Sequence, residues 1–474
     1  MKNRTTLLRI PLVGSLLCIL STGFAQSISA TLDSALDRTL DSMHLVLNNK
    51  SLNAALQMPN NYNWKHATGI SSINPPRNVT TDDVYLIGSV TKTITAACIL
   101  QLADQHILNL DDSLYQWTDT IQYINPNITI RQLLRHESGL YDALTNPQCF
   151  PTLQNDPDSI WDAKDLITTF IQPPLAQPGT TWKYCNTNYF LLGMIIRRAT
   201  GYMFYMELRN RFFIPLGWNS IATPSWETVS SPVAHAWMDI TGDGVTDDAH
   251  SFYYNLLSLN SAGGAAGCYY SNAADLSKWM RTYMRGDLLS PAMMAEAQTT
   301  VTAPGLGSVT YGLGLMRKFF LGYEAYGHGG DLTYSASSWY FPDFDISISV
   351  LNNESTVNSW GLIPVVTALL QTYLNWNLVN GVAEHQTHTS SYSVFPNPFA
   401  ESFELTFATK NPATKIRAEL VNLLGEKMCT QNYYSSAIGT GTIPFSTTGS
   451  LPHGLYFLNV YENESLVETL KIVK

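Results

Sequence analysis

Ser89 and Lys92 stand three residues apart, where an apolar, extended-looking run gives way to a helix-like one. If the chain is helical from Thr91, Ser89 sits at the helix entrance and Lys92 lies one turn on, on the same face. The hydroxyl then has an amine within reach and backbone N–H groups around it. A serine can be made nucleophilic in this way without a histidine. The plain alternative is a serine N-cap followed by a solvated lysine. None of the other lysines has a serine three positions before it. To act as a base, Lys92 must lose its proton near pH 7 against a reference pKa of about 10.4, which demands a desolvated, crowded site.

A second proton carrier is Tyr184, with Asn186 two residues on. Tyr-x-Asn also begins at Tyr123, Tyr253, Tyr373 and Tyr461, but only Tyr184 follows a Pro-Gly turn and precedes a long apolar helix. A loop held by a buried helix presents a side chain rigidly. The alternative is a tyrosine packed at the helix entrance with Asn186 as N-cap. The third stretch is Tyr326-Gly327-His328-Gly329-Gly330-Asp331, ahead of a strand-like run. Its glycines allow a ligand close to the backbone, and a strand-edge N–H there suits an oxyanion. His328 is the only histidine with glycine two residues after it. Competing designs do poorly. The chain has no Gly-x-Ser-x-Gly elbow and no His-Glu-x-x-His. Asp239, Thr241, Asp243 and Asp247 resemble part of a calcium loop, but the twelfth position is His250 rather than glutamate. A hairpin tip is expected there, with a structural calcium ion as the lesser option.

Elements must hold these stretches. Leu32, Leu36, Leu40 and Met43 recur at helical spacing within 27–49. The helix that carries Lys92 is expected over 89–105. Further helices are expected at 128–140 (ending at a glycine), 161–171, 187–200 (closed by Gly201), 271–284 and 362–374. Short strands and turns fit 53–87, and a loop fits 145–160. One or two hairpins fit 233–270, and strand-like runs between Gly-rich turns fill 309–352.

At 474 residues the chain suggests two or three domains. Hydrophobic residues at 45% are enough for a packed core, and charged residues at only 14% suit a secreted protein. Lys2, Arg4 and Arg9, an apolar run over 10–20 and then Gly23-Phe24-Ala25 form an expected signal peptide over 1–25. It is too short for a membrane span. Cys18 is a poor lipid-attachment site, because Leu16 and Leu17 precede it. The net charge of −10 falls mainly on 26–391, and no Lys/Arg cluster interrupts it. That excludes nucleic acid as a partner and gives no steering of anionic substrates. Five cysteines follow the signal peptide, an odd number at irregular spacing without C-x-x-C. One disulfide fits an oxidising compartment. His385 and His388 lie in a Ser/Thr-rich linker and are expected to be solvated. No metal and no cofactor are expected.

With the three stretches in place, residues 27–376 resemble the serine β-lactamase and D-alanyl-D-alanine carboxypeptidase superfamily, on its class C-like branch. The resemblance rests on 87–92, 130–140, 178–186, Ser261-Ala262-Gly263-Gly264 and His328-Gly329-Gly330. It implies an α+β fold: a β-lactamase/transpeptidase-like antiparallel sheet flanked by helices, with an all-helical lobe and the site between them. It implies Ser89 as nucleophile of an acyl-enzyme that water hydrolyses. Lys92 and Tyr184 would share proton transfer, with Tyr184 protonating the leaving group. Asn186 would hold Lys92 and a substrate amide. His328 and Gly330 would line the substrate, and the oxyanion would meet the backbone N–H groups of Ser89 and Asp331. One departure is informative. Class C β-lactamases usually carry Lys-Thr-Gly where this chain has His328-Gly329-Gly330, so a fixed charge for a β-lactam carboxylate is missing. Peptidase or esterase activity is therefore expected ahead of efficient β-lactam hydrolysis.

Residues 392–474 change character, to strand-like alternation with no helix candidate. They resemble the C-terminal sorting domain of type IX secretion substrates, on Phe395-Pro396-Asn397-Pro398-Phe399, Leu423-Leu424-Gly425-Glu426, 451–457 and the ending Lys471-Ile472-Val473-Lys474. The resemblance implies export from a Gram-negative bacterium to its surface or beyond, through the periplasm and the type IX machinery. A carbohydrate-binding β-sandwich is the alternative. The expected organisation is a signal peptide (1–25), a hydrolase domain (26–383), a linker (384–391) and an all-β sorting domain (392–474). The protein is expected to be a monomer acting on a small-molecule or peptide substrate. A non-catalytic peptidoglycan- or penicillin-binding protein is the alternative of another class.

Overall fold

The structure is a computed structural model that describes residues 32–59, 62–252, 256–380 and, with short breaks, 392–474. The expected signal peptide and linker, with Cys18, His385 and His388, lie outside the described residues. The chain divides into two compact units between Thr372 and Tyr373.

In chain order the strands of the first unit are β1 (Ser51–Gln57), β2 (Asn63–Ile73), β3 (Pro76–Asn78), β4 (Tyr85–Leu86), β5 (Trp237–Met238), β6 (Asp247–Asp248), β7 (Tyr270–Ser271), β8 (Val301–Thr302), β9 (Thr310–Tyr311), β10 (Met316–Phe320), β11 (Tyr323–Leu332), β12 (Tyr334–Phe341) and β13 (Ile346–Asn352). Nine of them form one antiparallel sheet in the order β3-β2-β1-β13-β12-β11-β10-β9-β8. β1 pairs with β13, Leu52 opposite Asn352, so the two ends of this unit meet at the middle of the sheet. Every residue of β1, β12 and β13 is buried, as expected of strands covered on both faces.

Helices cover the sheet and build a lobe beside it. The Ala273–Met284 helix packs on β1, β12 and β13. Its Ser277 meets Ser347 Oγ at 2.8 Å, and Ser338 meets Ser349 Oγ at 2.7 Å. Small hydroxyl residues let the helix approach the sheet while each polar group finds a partner. The Thr91–Asp104 helix is buried on nearly every face, which marks an interior helix. It packs on the Asn186–Thr200 and Leu257–Gly267 helices. These two approach closely at Gly193, where a Cβ would stand 2.8 Å from Ala265 Cβ. The Asn186–Thr200 helix ends at left-handed Gly201.

Several expectations need correction. The helix expected over 128–140 is only Ile130–Leu134, because His136 takes a positive φ of 64° and turns the chain inward. The loop expected at 145–160 contains a helix, Cys149–Asn155. Among the described residues of 233–270, only the β5–β6 pair is a hairpin. A helix, Leu257–Gly267, follows, bent at Gly264. At the hairpin tip, Asp239 accepts from the backbone N–H groups of Gly242, Asp243 and Gly244, and Asp247 from those of Ile240 and Thr241. Those carboxylates close the turn themselves. The compatible disulfide is not formed: all five cysteines among the described residues are free thiols, and four are buried.

From 392 on, the described residues form two antiparallel sheets. Tyr392–Phe395, Ser402–Thr409 and Gly439–Ser446 make one. Thr414–Asn422, Lys427–Ser435, Leu455–Glu462 and Ser465–Val473 make the other. Phe403, Leu405 and Phe445 of the first share a core with Ile416, Leu420 and Leu458 of the second, the packing of a β-sandwich.

Trp279 joins the two layers of the first unit. It is wholly buried, stacks on Tyr283 and donates its indole N–H to Thr93 Oγ1 at 2.8 Å. Trp279→Ala removes that ring and leaves Thr93 without its donor. It is expected to cost about 3–5 kcal/mol, read as a lower urea midpoint for the unit. An unchanged midpoint would show that the ring carries no such load.

Candidate active site

β11 is paired on both sides only at Tyr326 and Gly327, in its middle. β10 covers Tyr323 to Gly327, whereas β12 runs along Tyr326 to Leu332. From His328 onward one edge has no strand, and the Gly88–Val90 3-10 turn packs there. That turn leads straight into the Thr91–Asp104 helix. Glycines make the seam possible. A Cβ on Gly330 would strike the Ile87 carbonyl, and one on Gly88 would stand 2.8 Å from Asp331 N. Gly88 also takes φ +49°, which favours glycine. The half-buried Ser89 therefore lies at the helix entrance, with its own backbone nitrogen and that of Asp331 at one seam.

Lys92 lies one helical turn on and is fully buried. Its Nζ donates to Ser89 Oγ at 2.9 Å, Asn186 Oδ1 at 2.8 Å and Ala266 O at 2.9 Å. The rings of Tyr184 and Tyr189 stand beside it, 4.9 and 5.4 Å from Nζ to centroid. Burial lowers its pKa to about 7, opposed by the field of Asp142. The neighbours decide how the neutral amine is arranged. It has two N–H groups and one lone pair. Asn186 Oδ1 and Ala266 O can only accept, so the lone pair is left for the Ser89 hydroxyl.

Asp142 was not singled out from the sequence. It accepts from Asn186 N at 3.0 Å and Asn186 Nδ2 at 2.8 Å, which turns the amide oxygen toward Lys92. Burial raises its pKa, while these donors, Leu144 N–H and Lys92 oppose the rise. Its only local signal is the position of an N-cap to the turn at Ala143–Thr145. Ala266 contributes a backbone carbonyl, which no side-chain pattern announces.

Tyr184 is half-buried, and its hydroxyl oxygen is fully enclosed without completing a hydrogen bond. Burial pushes its pKa well above 10, although Ser89 is near enough to oppose the rise. His136 packs against its ring at 4.3 Å between centroids. Behind both runs a one-way chain. Cys185 N–H donates to His136 Nδ1 at 3.1 Å, so His136 carries its proton on Nε2 and gives it to Tyr311 Oη at 3.2 Å. Tyr311 then donates to His328 Nε2 at 2.9 Å, and His328 Nδ1–H to Gly329 O at 2.5 Å. Each link requires a neutral ring. Burial, with Lys92 nearby, lowers His136 well below its usual value and His328 to about 3. His328 is thus placed behind the site, fully enclosed, rather than on its open face; the backbone of Gly330 and Asp331 occupies the seam instead. The Asp331 carboxylate is exposed and accepts from Ser359 N and Oγ.

The structure brings Ser89, Lys92, Tyr184, Asn186, Gly330 and Asp331 together, with His328 as support. Away from them, His235, Asp248 and His250 cluster on the β5–β6 hairpin within reach of one metal ion. His235 Nδ1 already pairs with Asp248 at 2.8 Å, and the two rings stack nearly parallel, so their in-plane lone pairs do not converge.

The sequence profile of the Beta-lactamase family matches residues 51–360, and that of the Secretion system C-terminal sorting domain matches 393–474. The chain is 31% identical to a penicillin-binding protein 4 of Amycolatopsis lactamdurans over 44% of this chain and 52% of that one. It spans about half the length of the curated relatives it matches. Among solved structures, a D-stereospecific amidohydrolase from Streptomyces sp. matches 68% of this chain and 94% of its own at 28% identity and a TM-score of 0.60. The D-amino acid amidase from Ochrobactrum anthropi SV3 matches 73% of this chain and 99% of its own at 24% identity and a TM-score of 0.64, a likeness of fold.

If Lys92 receives the Ser89 proton, only its neutral form is active. kcat/KM is then expected to rise with pH through a midpoint near 7. The Asp142 carboxylate raises the Lys92 pKa. Asp142→Asn is therefore expected to move that midpoint to lower pH, and to reduce the maximal rate because Asn186 loses its orienting acceptor. A pH–rate profile of both proteins checks this; an unmoved midpoint contradicts it.

Proposed function

The chain belongs to the beta-lactamase family, and on that premise we propose that it is a secreted serine hydrolase that forms an acyl-enzyme at Ser89. The observation that carries this reading is the buried Lys92 amine, whose lone pair is left for the Ser89 hydroxyl. Ser89 Oγ attacks the substrate carbonyl and passes its proton to Lys92 Nζ. The carbonyl oxygen, now an oxyanion, lies between the N–H groups of Ser89 and Asp331. Tyr184 keeps its proton at neutral pH, so it serves as the acid that protonates the leaving group, and Lys92 reloads it. Environments that push two titratable groups in opposite directions are how a site separates its base from its acid. Water then takes the place of the leaving group and releases the acid.

On substrate, the reading is a D-amino-acid amide or peptide bond, or a small ester. It is supported by the D-stereospecific amidohydrolase among the similar structures. A carboxylate next to the scissile bond, as in a β-lactam or a D-alanyl-D-alanine terminus, is less well served. His328 is neutral and enclosed, and Asp331 presents a negative charge at the seam. Residues 392–474 serve as the address read by type IX machinery after passage through the periplasm.

A fluorophosphonate and a fluorescent penicillin are expected to label the protein at Ser89 and to leave Ser89→Ala unlabelled. Turnover of D-aminoacyl amides is expected to fall at least about 1,000-fold in that variant. Absence of label at Ser89 counts against the reading. A burst of acylation without turnover on any amide or ester would favour a binding protein instead.

A further inference from the structure

A cavity of about 310 Å³ opens beside Asp331, at the tip of the β11–β12 hairpin. Leu332 and Thr333 form one wall. Phe150 and Leu153 of the Cys149–Asn155 helix, Met238 of β5 and Leu259 form the others. The lining is mainly apolar. Phe150 is exposed, which places an aromatic ring where the cavity meets solvent. The walls are tied together. Ser258 N–H donates to Pro157 O at 2.9 Å, and Trp161 donates its indole N–H to Ser258 Oγ at 3.1 Å.

The order along β11 gives the cavity its place. His328 stands near Tyr184, 6.2 Å between ring centroids, and Asp331 N lies at the Gly88–Ser89 seam. Leu332 and Thr333 come next and line the cavity. At roughly 3.3 Å per strand residue, the cavity begins within one or two residues of the seam, on the side away from Tyr184. A leaving group protonated by Tyr184 lies on the Tyr184 side of Ser89. The part of the substrate that stays on Ser89 extends the other way.

We propose that this cavity receives the side chain of the substrate's acyl residue, and that the side chain is aromatic or branched aliphatic. The proposal rests on the reading of Ser89 as the acylated nucleophile. Size supports the choice: an apolar cavity of about 150 Å³ accommodates benzene, so this one takes a phenyl ring with room for its methylene. An alanine methyl would leave it nearly empty and forgo most of the apolar burial. Asp331 is the only charged residue among the described residues of the lining, and none of these favours a negatively charged side chain.

The test uses the full chain and two active esters that differ only in this side chain, the p-nitrophenyl esters of N-acetyl-D-phenylalanine and N-acetyl-D-alanine. The expected result is a kcat/KM about 30-fold higher for the phenylalanine ester, the size of effect that burial of a phenyl group brings. Leu259→Trp fills the cavity and is expected to bring the ratio of the two rates close to one. Phe150→Ala, at an exposed position that folding tolerates, is expected to lower the ratio several-fold. Equal or faster hydrolysis of the alanine ester by the wild type overturns the proposal, as does a ratio that neither variant moves. In each of those cases Ser89-dependent hydrolysis persists. Its absence on both esters would overturn the underlying reading as well, so the two failures are distinguishable.

Discussion

The structure depends on keeping one amine out of water. Lowering Lys92 from 10.5 to about 7 means that its surroundings, with burial outweighing the opposing field of Asp142, disfavour its charged form by about 5 kcal/mol. A carboxylate in contact would cancel that effect and return a permanently charged lysine. Asp142, the carboxylate whose field reaches it, is held one amide away. Asn186 stands between them, with its oxygen on Lys92 and its nitrogen on Asp142. The carboxylate therefore orients the site and moderates the shift without forming an ion pair. An aliphatic spacer at 186 would leave Lys92 without a second acceptor. A carboxylate there would restore the charge. An amide satisfies both demands.

The histidines behind the site obey the same constraint. A protonated ring beside Lys92 would add a second buried cation, and each ring avoids this by having a fixed neighbour at both nitrogens. Tyr311 links them because a phenol both accepts and donates. It takes the His136 Nε2 proton and gives its own to His328 Nε2. The result is a neutral, fully bonded support under Tyr184. That tyrosine in turn keeps an unpartnered hydroxyl near Ser89, which suits the role of proton donor proposed for it.

What was legible in the sequence follows from distance along the chain. Ser89 with Lys92 and Tyr184 with Asn186 are local pairs, and helical period or a turn before a helix is enough to align them. Asp142 and Ala266 reach the same amine from across the fold. The first acts through a neighbour and the second through a backbone carbonyl, so neither leaves a local signature. The helices at Cys149–Asn155 and Leu257–Gly267 were illegible for another reason. Pro151 in the one and three glycines in the other weaken helix propensity, and packing overrides it. The helix expected to reach Leu140 stops early because His136 must turn into the core to reach Tyr311, a demand made by a residue 175 positions away. The sheet, the apolar helices and the change of character after the linker were legible, because burial imposes regular periods on them.

The third stretch also acquires a different physical meaning. In the sequence its glycines suggest room for a ligand. In the fold, Gly330 and Gly88 make room for the protein itself. Without side chains they let the Gly88–Val90 turn fill the edge of β11 that β10 leaves open. Gly327, one residue before His328, likewise admits the Ser338 carbonyl from β12. This arrangement accounts for the end of β10 pairing at Gly327. A longer β10 would occupy the edge against which the Ser89 turn packs, and a β11 without glycine would hold the turn too far away for the Ser89 and Asp331 nitrogens to meet at one seam. Half of a strand is thus spent on the sheet and half on the site. The seam where the use changes is where Ser89, the backbone nitrogens proposed to hold the oxyanion and the wall of the apolar cavity come together.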